Sequence, residues 1–312
     1  MSFSKMVQIM NPRSQINIVS NATICQDQCE ATLAATLPGD TKRQLTRTGY
    51  SMGTITKALN LLNHFSPNHP EIGLTEFRKL SGQDKATVHR HLIELTSNGF
   101  LEQNPVTRGY RLGPAILRLA AVRERLFPAR TIVAPLVEAL ASELGELVHV
   151  SLREGNHMSP LFHHDALIHG TRVYFDEAEL LPLHATASGL AMLAFGPENL
   201  LPDLLKTPLP AATEHTITDH NLLRSTVEKV REAGIAFVDQ GFEAHVSSFA
   251  APLFGDQPEA IGTIAVALPT VRVTDDMRRR IKAALPRTAN EVTEKLGGTV
   301  PVDLRRIWTN AA

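Results

Sequence analysis

The feature that most constrains the fold lies between residues 73 and 113, where two helix patterns precede a hairpin pattern. The first helix pattern ends at Ser81-Gly82. Asp84 is placed to cap the second helix by accepting backbone N–H bonds that the helix leaves unsatisfied. Apolar residues at i, i+4 and i+7 then form one buried stripe: Val88, Leu92 and Leu95. This order predicts two short helices joined by a tight turn.

The segment behind the second helix has the pattern of a β-hairpin. Ser97-Asn98-Gly99 ends the helix, because glycine tolerates the left-handed geometry that a helix C-terminus favours. A strand over 100–103, a turn over 104–109 and a return strand over 110–112 follow. A further helix precedes the unit, with apolar residues at helical spacing: Ile55, Ala58, Leu59, Leu62 and Phe65. The succession predicts a winged helix-turn-helix, whose second helix fits the major groove of DNA.

The residues that begin the second helix and flank the hairpin turn are candidate DNA contacts. We expect base contacts from the helix start: Lys85, Ala86, Thr87, His89 and Arg90. We expect phosphate or minor-groove contacts from the hairpin, or wing: Arg108, Tyr110 and Arg111. The alternative is a small packed domain whose charged side chains are only solvated.

Residues 54–113 resemble the DNA-binding domain of IclR-type bacterial transcription regulators. The resemblance rests on four motifs: Lys57-Ala58-Leu59, Leu74-Thr75-Glu76, Lys85-Ala86-Thr87-Val88-His89-Arg90 and Tyr110-Arg111-Leu112-Gly113. This chain departs from the family pattern at three positions. Asp84 stands where the family often has proline, Ala86 replaces serine, and His91 replaces an apolar residue. Ala86 removes a possible polar contact to DNA and can touch a thymine methyl group instead.

The remainder of the chain alternates strand and helix patterns. Strand patterns with period two occur at 147–153, 158–164, 235–239, 246–254 and 260–268. Helix patterns occur at 183–195, 218–233 and 274–296. Because short turns connect several of the strands, we expect an antiparallel sheet flanked by helices. The predicted fold class is therefore α+β, with a winged helix-turn-helix in front.

This second half also resembles IclR regulators, whose C-terminal ligand-sensing domain is GAF-like, so the resemblance covers roughly residues 54–298. It is carried by Leu181-Pro-Leu-His-Ala-Thr-Ala-Ser-Gly-Leu-Ala, Thr216-Ile-Thr-Asp, Gly234-Ile-Ala-Phe-Val-Asp, Val246-Ser-Ser-Phe-Ala-Ala-Pro-Leu-Phe and Ile261-Gly-Thr-Ile-Ala-Val. By position, the resemblance implies an effector site at Ala187, Ser188, Val238, Asp239, Ser248, Ala265 and Ala267. Ser248 replaces the usual cysteine and Val238 the first residue of an acidic pair, while the last strand carries alanines where serines often stand.

These departures favour a particular class of effector. Ala265, Ala267 and Val238 would leave the oxygens of a small, highly oxygenated acid unpaired, at about 1–3 kcal/mol each. A carboxylate with an aromatic or aliphatic body loses less, since helix-start amides and a few hydroxyl groups can hold its charged end. We expect such a carboxylate, bound without any cofactor or metal.

Between the two halves, Pro114–Leu126 is predicted to be a linker helix with apolar residues on more than one side. The predicted organisation is an irregular leader at 1–51, the winged domain at 52–113, the linker at 114–127, the sensor at 128–298 and a tail at 299–312. The leader contains Cys25 and Cys29, interpreted as free thiols, and a basic stretch near Lys42, and Met52 is an alternative start. The apolar linker predicts a homodimer or homotetramer.

Charge and hydropathy agree with a DNA-binding head on an acidic body. Residues 52–113 carry 7 Lys/Arg and 5 Asp/Glu, whereas residues 114–312 carry 19 and 24. No apolar run reaches membrane-spanning length and the start lacks a secretion-signal layout, so we expect a cytoplasmic protein without membrane partners. Its expected partners are double-stranded operator DNA and a small effector.

Three alternative interpretations fit parts of the sequence. A hydrolase could use Ser188 or Ser248 with His184 and Asp239, but neither serine lies in a Gly-x-Ser-x-Gly elbow. A metal site could draw on the polar residues around one predicted hairpin: His149, His157, His163, His164, His184 and Asp165. The third alternative is a ligand sensor whose winged helix binds protein. We expect a ligand-responsive DNA-binding regulator of a catabolic operon and no enzyme.

Overall fold

The computed structural model describes residues 53–311. The predictions for the leader, including its two cysteines and its basic stretch, lie outside the described residues, as does the alternative start at Met52.

Three short helices and a hairpin form the N-terminal domain. The helices are α1 (Thr54–Leu59), α2 (Leu74–Ser81) and α3 (Lys85–Ser97), and the strands are β1 (Leu101–Gln103) and β2 (Tyr110–Leu112). The Thr87 N–H donates to Asp84 Oδ1 at 2.9 Å and fixes the start of α3 as predicted. Gly82, with φ +64°, ends α2 in the left-handed region that glycine adopts without strain. The core contains Leu61, Ile72, Phe77, Val88, Leu92, Leu95, Leu101 and Tyr110.

The first helix is shorter than its apolar pattern predicts. α1 ends at Leu59, and the chain tightens into a 3-10 turn over Leu62–His64. This turn lets the Phe65 ring pack edge-on against Phe77, with ring centroids 5.6 Å apart. Ile55 remains 76% exposed, because the domain offers it no buried partner.

A six-stranded antiparallel sheet organises the C-terminal half. Its strands are β3 (Leu147–Glu154), β4 (His157–His164), β5 (Leu181–Pro182), β6 (Ala236–Asp239), β7 (Val246–Phe254) and β8 (Ala260–Pro269), in the spatial order β5-β4-β3-β8-β7-β6. The helices are α4 (Pro114–Leu126), α5 (Ala129–Leu144), α6 (Ala187–Phe195), α7 (Leu200–Leu204), α8 (His220–Ala233), α9 (Asp275–Lys295) and α10 (Val302–Ala311). The predicted α+β class and the linker helix are confirmed.

The two faces of the sheet have different coverings. Arg278 of α9 lies over the Phe237 ring at 4.3 Å from its centroid, so α9 covers the face that carries Phe237 and Phe249. Because strand side chains alternate between faces, Val238 and Ser248 point to the other face. The start of α6 approaches that second face and leaves a cavity there.

The segment predicted as a C-terminal tail at 299–312 contains a packed helix, α10. Leu304 and Trp308 of α10 are buried in the sensor core, and the Trp308 indole N–H donates to the Gly234 carbonyl at 2.9 Å. An amphipathic helix this short gains its stability from tertiary packing, and that packing is not visible in the local pattern. The short helix α7 was also missed. Among residues 53–311, no helix is long and apolar enough to cross a membrane.

Candidate functional site

The start of α3 presents an exposed polar face. Lys85, Ala86, His89 and Arg90 are exposed, and Lys85, His89 and Arg90 have no ion pair or hydrogen bond with any residue in 53–311. Thr87 is half-buried, and its hydroxyl and N–H both bond to the Asp84 carboxylate, which lowers the pKa of Asp84. The structure therefore leaves the three basic side chains on this face available for a ligand, while Thr87 also serves the helix cap.

The wing differs from its prediction at one position. The Tyr110 side chain is buried against Phe77, and its backbone pairs with Ile72 through two 2.9 Å hydrogen bonds. Its predicted role in DNA contact is therefore corrected to a role in the core. Arg108 is exposed in the turn with φ +61°, and the Arg111 guanidinium pairs with Glu102 across the hairpin. To bind a phosphate, Arg111 must therefore break its ion pair with Glu102 or bind the carboxylate and the phosphate together.

His91 lies on the buried side of α3, where the family pattern has an apolar residue. It is 3% exposed, and neither ring nitrogen has a partner among the described residues. Burial, with the charges of Arg90 and Lys57, lowers the pKa of His91. A neutral imidazole therefore fills an apolar position beneath the candidate DNA-binding face.

A second candidate site is the cavity at the start of α6, called the α6 pocket. Its cavity volume is about 70 Å³, and it opens to solvent at its mouth. Its lining comes from β3, β5 and the segment before it, the start of α6, β6, β7, the connection between them, and β8: His149, Val173, Tyr174, Phe175, Asp176, Glu179, Leu181, Ala185, Thr186, Ser188, Val238, Gly241, Phe242, Glu243, Val246, Ser248 and Ala267.

Four of the seven predicted effector residues line the α6 pocket: Ser188, Val238, Ser248 and Ala267. Strand pairing explains three of them, because Val238 pairs with Ser248 and Ser248 pairs with Ala267 across the sheet. Ala187 and Ala265 are completely buried and do not line the cavity. Only the backbone N–H of Ala187 remains a candidate contact there.

Asp239 lies on the opposite face of the sheet from Val238. Its carboxylate accepts the Ser247 hydroxyl at 2.5 Å and the Thr270 hydroxyl at 3.3 Å, and the Ser247 bond is the main reason that its pKa is lowered. The predicted effector contact is corrected to a structural role. The hydrolase alternative requires Asp239 to orient His184. Asp239 instead bonds to Ser247 and Thr270, and His184 Nε2 bonds to the Pro210 carbonyl.

The inner wall of the α6 pocket has unpaired polar groups. The Thr186 hydroxyl caps α6 by accepting the Gly189 N–H at 3.0 Å. Among residues 53–311, the N–H groups of Ala187 and Ser188 have no acceptor, and the Ser188 hydroxyl, in a side chain 2% exposed, has no partner. A helix start with free N–H groups attracts oxygen atoms and negative charge.

His149 forms part of the pocket floor, and the sequence interpretation did not count it as an effector residue. Its Nδ1 lies 3.1 Å from the Ser151 hydroxyl, and its ring stacks on Phe175 with centroids 4.6 Å apart. Burial, assisted by neighbouring His163, lowers the pKa of His149 to about 3, so the ring is neutral at physiological pH. The signal in the sequence was its place between buried Val148 and Val150, which puts it on the other face of β3.

The mouth of the pocket is acidic and aromatic. Asp176, Glu179 and Glu243 lie there with Tyr174 and Phe242, whereas Phe175 lies deeper, against the His149 ring, and no lining residue is lysine or arginine. Partial burial, then the charges of Asp176 and Glu243, raises the pKa of Glu179. Partial burial also raises the pKa of Glu243. No group of three or more potential metal ligands occurs within the part of the chain that the structure describes.

Comparison with known proteins identifies both halves. The family described as "Bacterial transcriptional regulator IclR C-terminal" matches residues 127–294, and "IclR helix-turn-helix domain" matches residues 54–105. The transcriptional repressor IclR of Escherichia coli (strain K12) is 26% identical over 247 residues, which cover 78% of this chain and 90% of that protein.

Solved structures share the architecture. A crystal structure of an IclR transcriptional regulator from Silicibacter sp. TM1040 is 41% identical, with a TM-score of 0.74 over 80% of this chain and 99% of that chain. An IclR homolog from Microbacterium hydrocarbonoxydans, complexed with 4-hydroxybenzoate, is 22% identical, with a TM-score of 0.62 over 78% and 99%, and shows the shared fold. The protein therefore belongs to the IclR family of bacterial transcriptional regulators, which bind DNA through a helix-turn-helix domain.

Proposed function

We propose that this regulator binds operator DNA as a dimer and that a small carboxylate in the α6 pocket changes that binding, in control of a catabolic operon. The observation that carries the proposal is the unpaired basic face of α3 in a chain that also has a pocket lined by unpaired donors. Action on DNA places such a regulator in the cytoplasm.

The DNA-binding surface consists of the α3 start and the wing. Lys85, His89 and Arg90 carry free donors near the start of α3, a helix that can enter the major groove. Ala86 lies beside them and can make an apolar base contact. Arg108 and Arg111 extend from the wing toward phosphates or the minor groove. The helix residues supply sequence discrimination and the wing arginines supply affinity.

The inner wall of the α6 pocket supports a carboxylate effector. The free N–H groups of Ala187 and Ser188 and the Ser188 hydroxyl can donate hydrogen bonds to the two carboxylate oxygens, while Val238 and Ala267 contact an apolar body. The Microbacterium homolog, which is complexed with an aromatic carboxylate, supports the same class of ligand.

Exposed apolar residues on α4 support the dimer. On α4, Leu117 is 75% exposed, and Val122 and Leu126 are also exposed. Ile55 and Leu59 of α1 are further exposed apolar residues. A soluble monomer seldom exposes so many apolar side chains on one helix, so we infer that a second copy of the chain buries them. Pairing of the sensor halves would then produce a tetramer.

A mobility shift with the promoter region next to the protein's own gene tests the proposed function. We expect a shifted complex that weakens or strengthens when a small aromatic carboxylate is added. If no DNA shifts while the chain instead captures a protein through α3, the winged domain is a protein-binding module and the proposal is wrong.

A further inference from the structure

We propose that the effector is a zwitterion: a carboxylate at one end, a cationic nitrogen at the other, and an apolar body between them. The inference rests on the proposed function and specifies the ligand of the same pocket. It follows from the opposite chemistry of the inner wall and the mouth of the α6 pocket.

The inner wall requires an acceptor. The Ser188 side chain is almost completely buried, lines the cavity, and has no hydrogen-bond partner among the described residues. The N–H groups of Ala187 and Ser188 begin α6 beside it and are also unpaired. These donors face the cavity, so a ligand with oxygen acceptors can complete this wall.

The mouth requires the opposite charge. Asp176, Glu179 and Glu243 lie there together, and each raises the electrostatic cost of bringing a second anion through the entrance. The lining contributes no lysine or arginine to offset them, and His149 is neutral because it is buried. A purely anionic ligand would leave this charge uncompensated.

The aromatic walls suit an ammonium group. Tyr174 and Phe242 line the pocket together with the three carboxylates, and Phe175 lies deeper, against His149. Aromatic faces attract organic cations, and the attraction adds to that of nearby carboxylates. A primary amine or a quaternary ammonium group at the mouth therefore fits both sets of side chains.

The charges of the ligand must be separated. The donors belong to the buried start of α6, whereas Tyr174, Glu179 and Glu243 are exposed at the entrance. An α-amino acid places both charges on one carbon and can satisfy only one end of the pocket. An ω-amino acid or a betaine with an aromatic or aliphatic spacer reaches both.

Calorimetry on the full chain with three matched probes tests the inference. The probes are 4-(aminomethyl)benzoate, 4-methylbenzoate, which lacks the ammonium group, and 4-methylbenzylamine, which lacks the carboxylate. We expect 4-(aminomethyl)benzoate to bind about tenfold more tightly than either of the others.

Variants assign each end of the probe. Glu179→Gln combined with Glu243→Gln should remove the preference for 4-(aminomethyl)benzoate over 4-methylbenzoate, because the mouth loses its negative charge. Glu259→Gln, an exposed control in the turn between β7 and β8, should keep it. Ser188→Ala should weaken both carboxylate probes and leave 4-methylbenzylamine unchanged.

Each remaining outcome overturns the inference in a different way. If 4-methylbenzoate binds at least as tightly as 4-(aminomethyl)benzoate, the cationic end is wrong and the carboxylate effector stands. If 4-methylbenzylamine matches 4-(aminomethyl)benzoate, the carboxylate end is wrong. If none of the probes binds at millimolar concentration, both ligand proposals fail. A mobility shift on the same preparation still reports DNA binding independently.

Discussion

Arg90 and Arg108 are both exposed arginines, yet their positions predict different effects on DNA binding. Arg90 lies on the helix that we propose reads base edges, so Arg90→Ala should weaken binding to the operator by about 1–3 kcal/mol and affect unrelated DNA less. Arg108 lies in the wing turn, so Arg108→Ala should weaken binding to all sequences and reduce its salt dependence. Titrations of operator and scrambled DNA at several salt concentrations measure both effects.

The control for these variants is Arg224→Ala, because Arg224 is exposed on α8 and has no ion pair among the described residues. It should bind both DNAs as the parent does. Operator binding by Arg90→Ala that equals that of the parent would show that α3 is not the reading helix.

His149 predicts how the sensor half responds to acid. Its folded-state pKa is lowered to about 3, whereas a histidine in the unfolded chain titrates near 6.5. Between these values the unfolded chain binds a proton that the folded chain does not bind. The free energy of unfolding should therefore fall as pH decreases through this window, by about 1.4 kcal/mol per pH unit from this group.

Urea unfolding at about pH 7 and about pH 5 measures this slope. His149→Phe keeps a ring against Phe175 and should flatten the slope, while His220→Gln, at an exposed position, should leave it unchanged. The assignment is wrong if His149→Phe is as acid-sensitive as the parent.

The helix α10 contributes to stability through tertiary contacts that the local sequence does not predict. Trp308 is 7% exposed and bonds to the Gly234 carbonyl, so Trp308→Ala should cost about 3–5 kcal/mol of unfolding free energy. Trp308→Phe keeps most of the packing and should cost less, because it removes the hydrogen bond and only part of the ring. Val302→Ala, at an exposed position on the same helix, is the control. Equal stability of Trp308→Ala and the parent in urea would mean that α10 is not docked.

Elements defined by local signals could be predicted from the sequence, and those defined by distant contacts could not. The start of α3 follows from Asp84, four residues before Val88, and the end of α2 follows from Gly82, which adopts positive φ. The docking of α10 depends on Gly234, which is more than 70 residues away in the chain. No local pattern contains that contact.

The part of the candidate effector site that lies on strands follows from the alternation of strand side chains between the two faces of the sheet. Val238 and Asp239 are consecutive on β6, so their side chains point to opposite faces, and only one of them can line a given pocket. The acidic mouth could not be predicted, because Glu179 and Glu243 come from segments without regular structure that only the fold brings together. The motif around Tyr110 predicts a DNA contact, whereas its burial depends on packing against Phe77 of α2.

At the level of the assembled molecule, the exposed apolar residues on the sides of α4 predict how the regulator pairs. Leu117 and Val122 are exposed, and a dimer through this helix would remove them from water. Leu117→Glu combined with Val122→Glu should convert a dimer to a monomer at micromolar concentration, because the charges would have to be buried. Val271→Glu, at an 88% exposed position in the sensor half, should leave the dimer intact. Light scattering measures the mass of each variant.

The proposed dimer also predicts the geometry of the operator. Two copies of α3 related by a two-fold axis require an imperfect palindrome whose half-sites face the same side of DNA. Inserting about half a helical turn, roughly 5 base pairs, between the half-sites should abolish tight binding, since it rotates one half-site away. Inserting a full turn should restore part of it. Equal mobility-shift affinity for the parent operator and the half-turn insertion, or parental affinity of the monomeric variant, would show that one winged domain is sufficient for recognition.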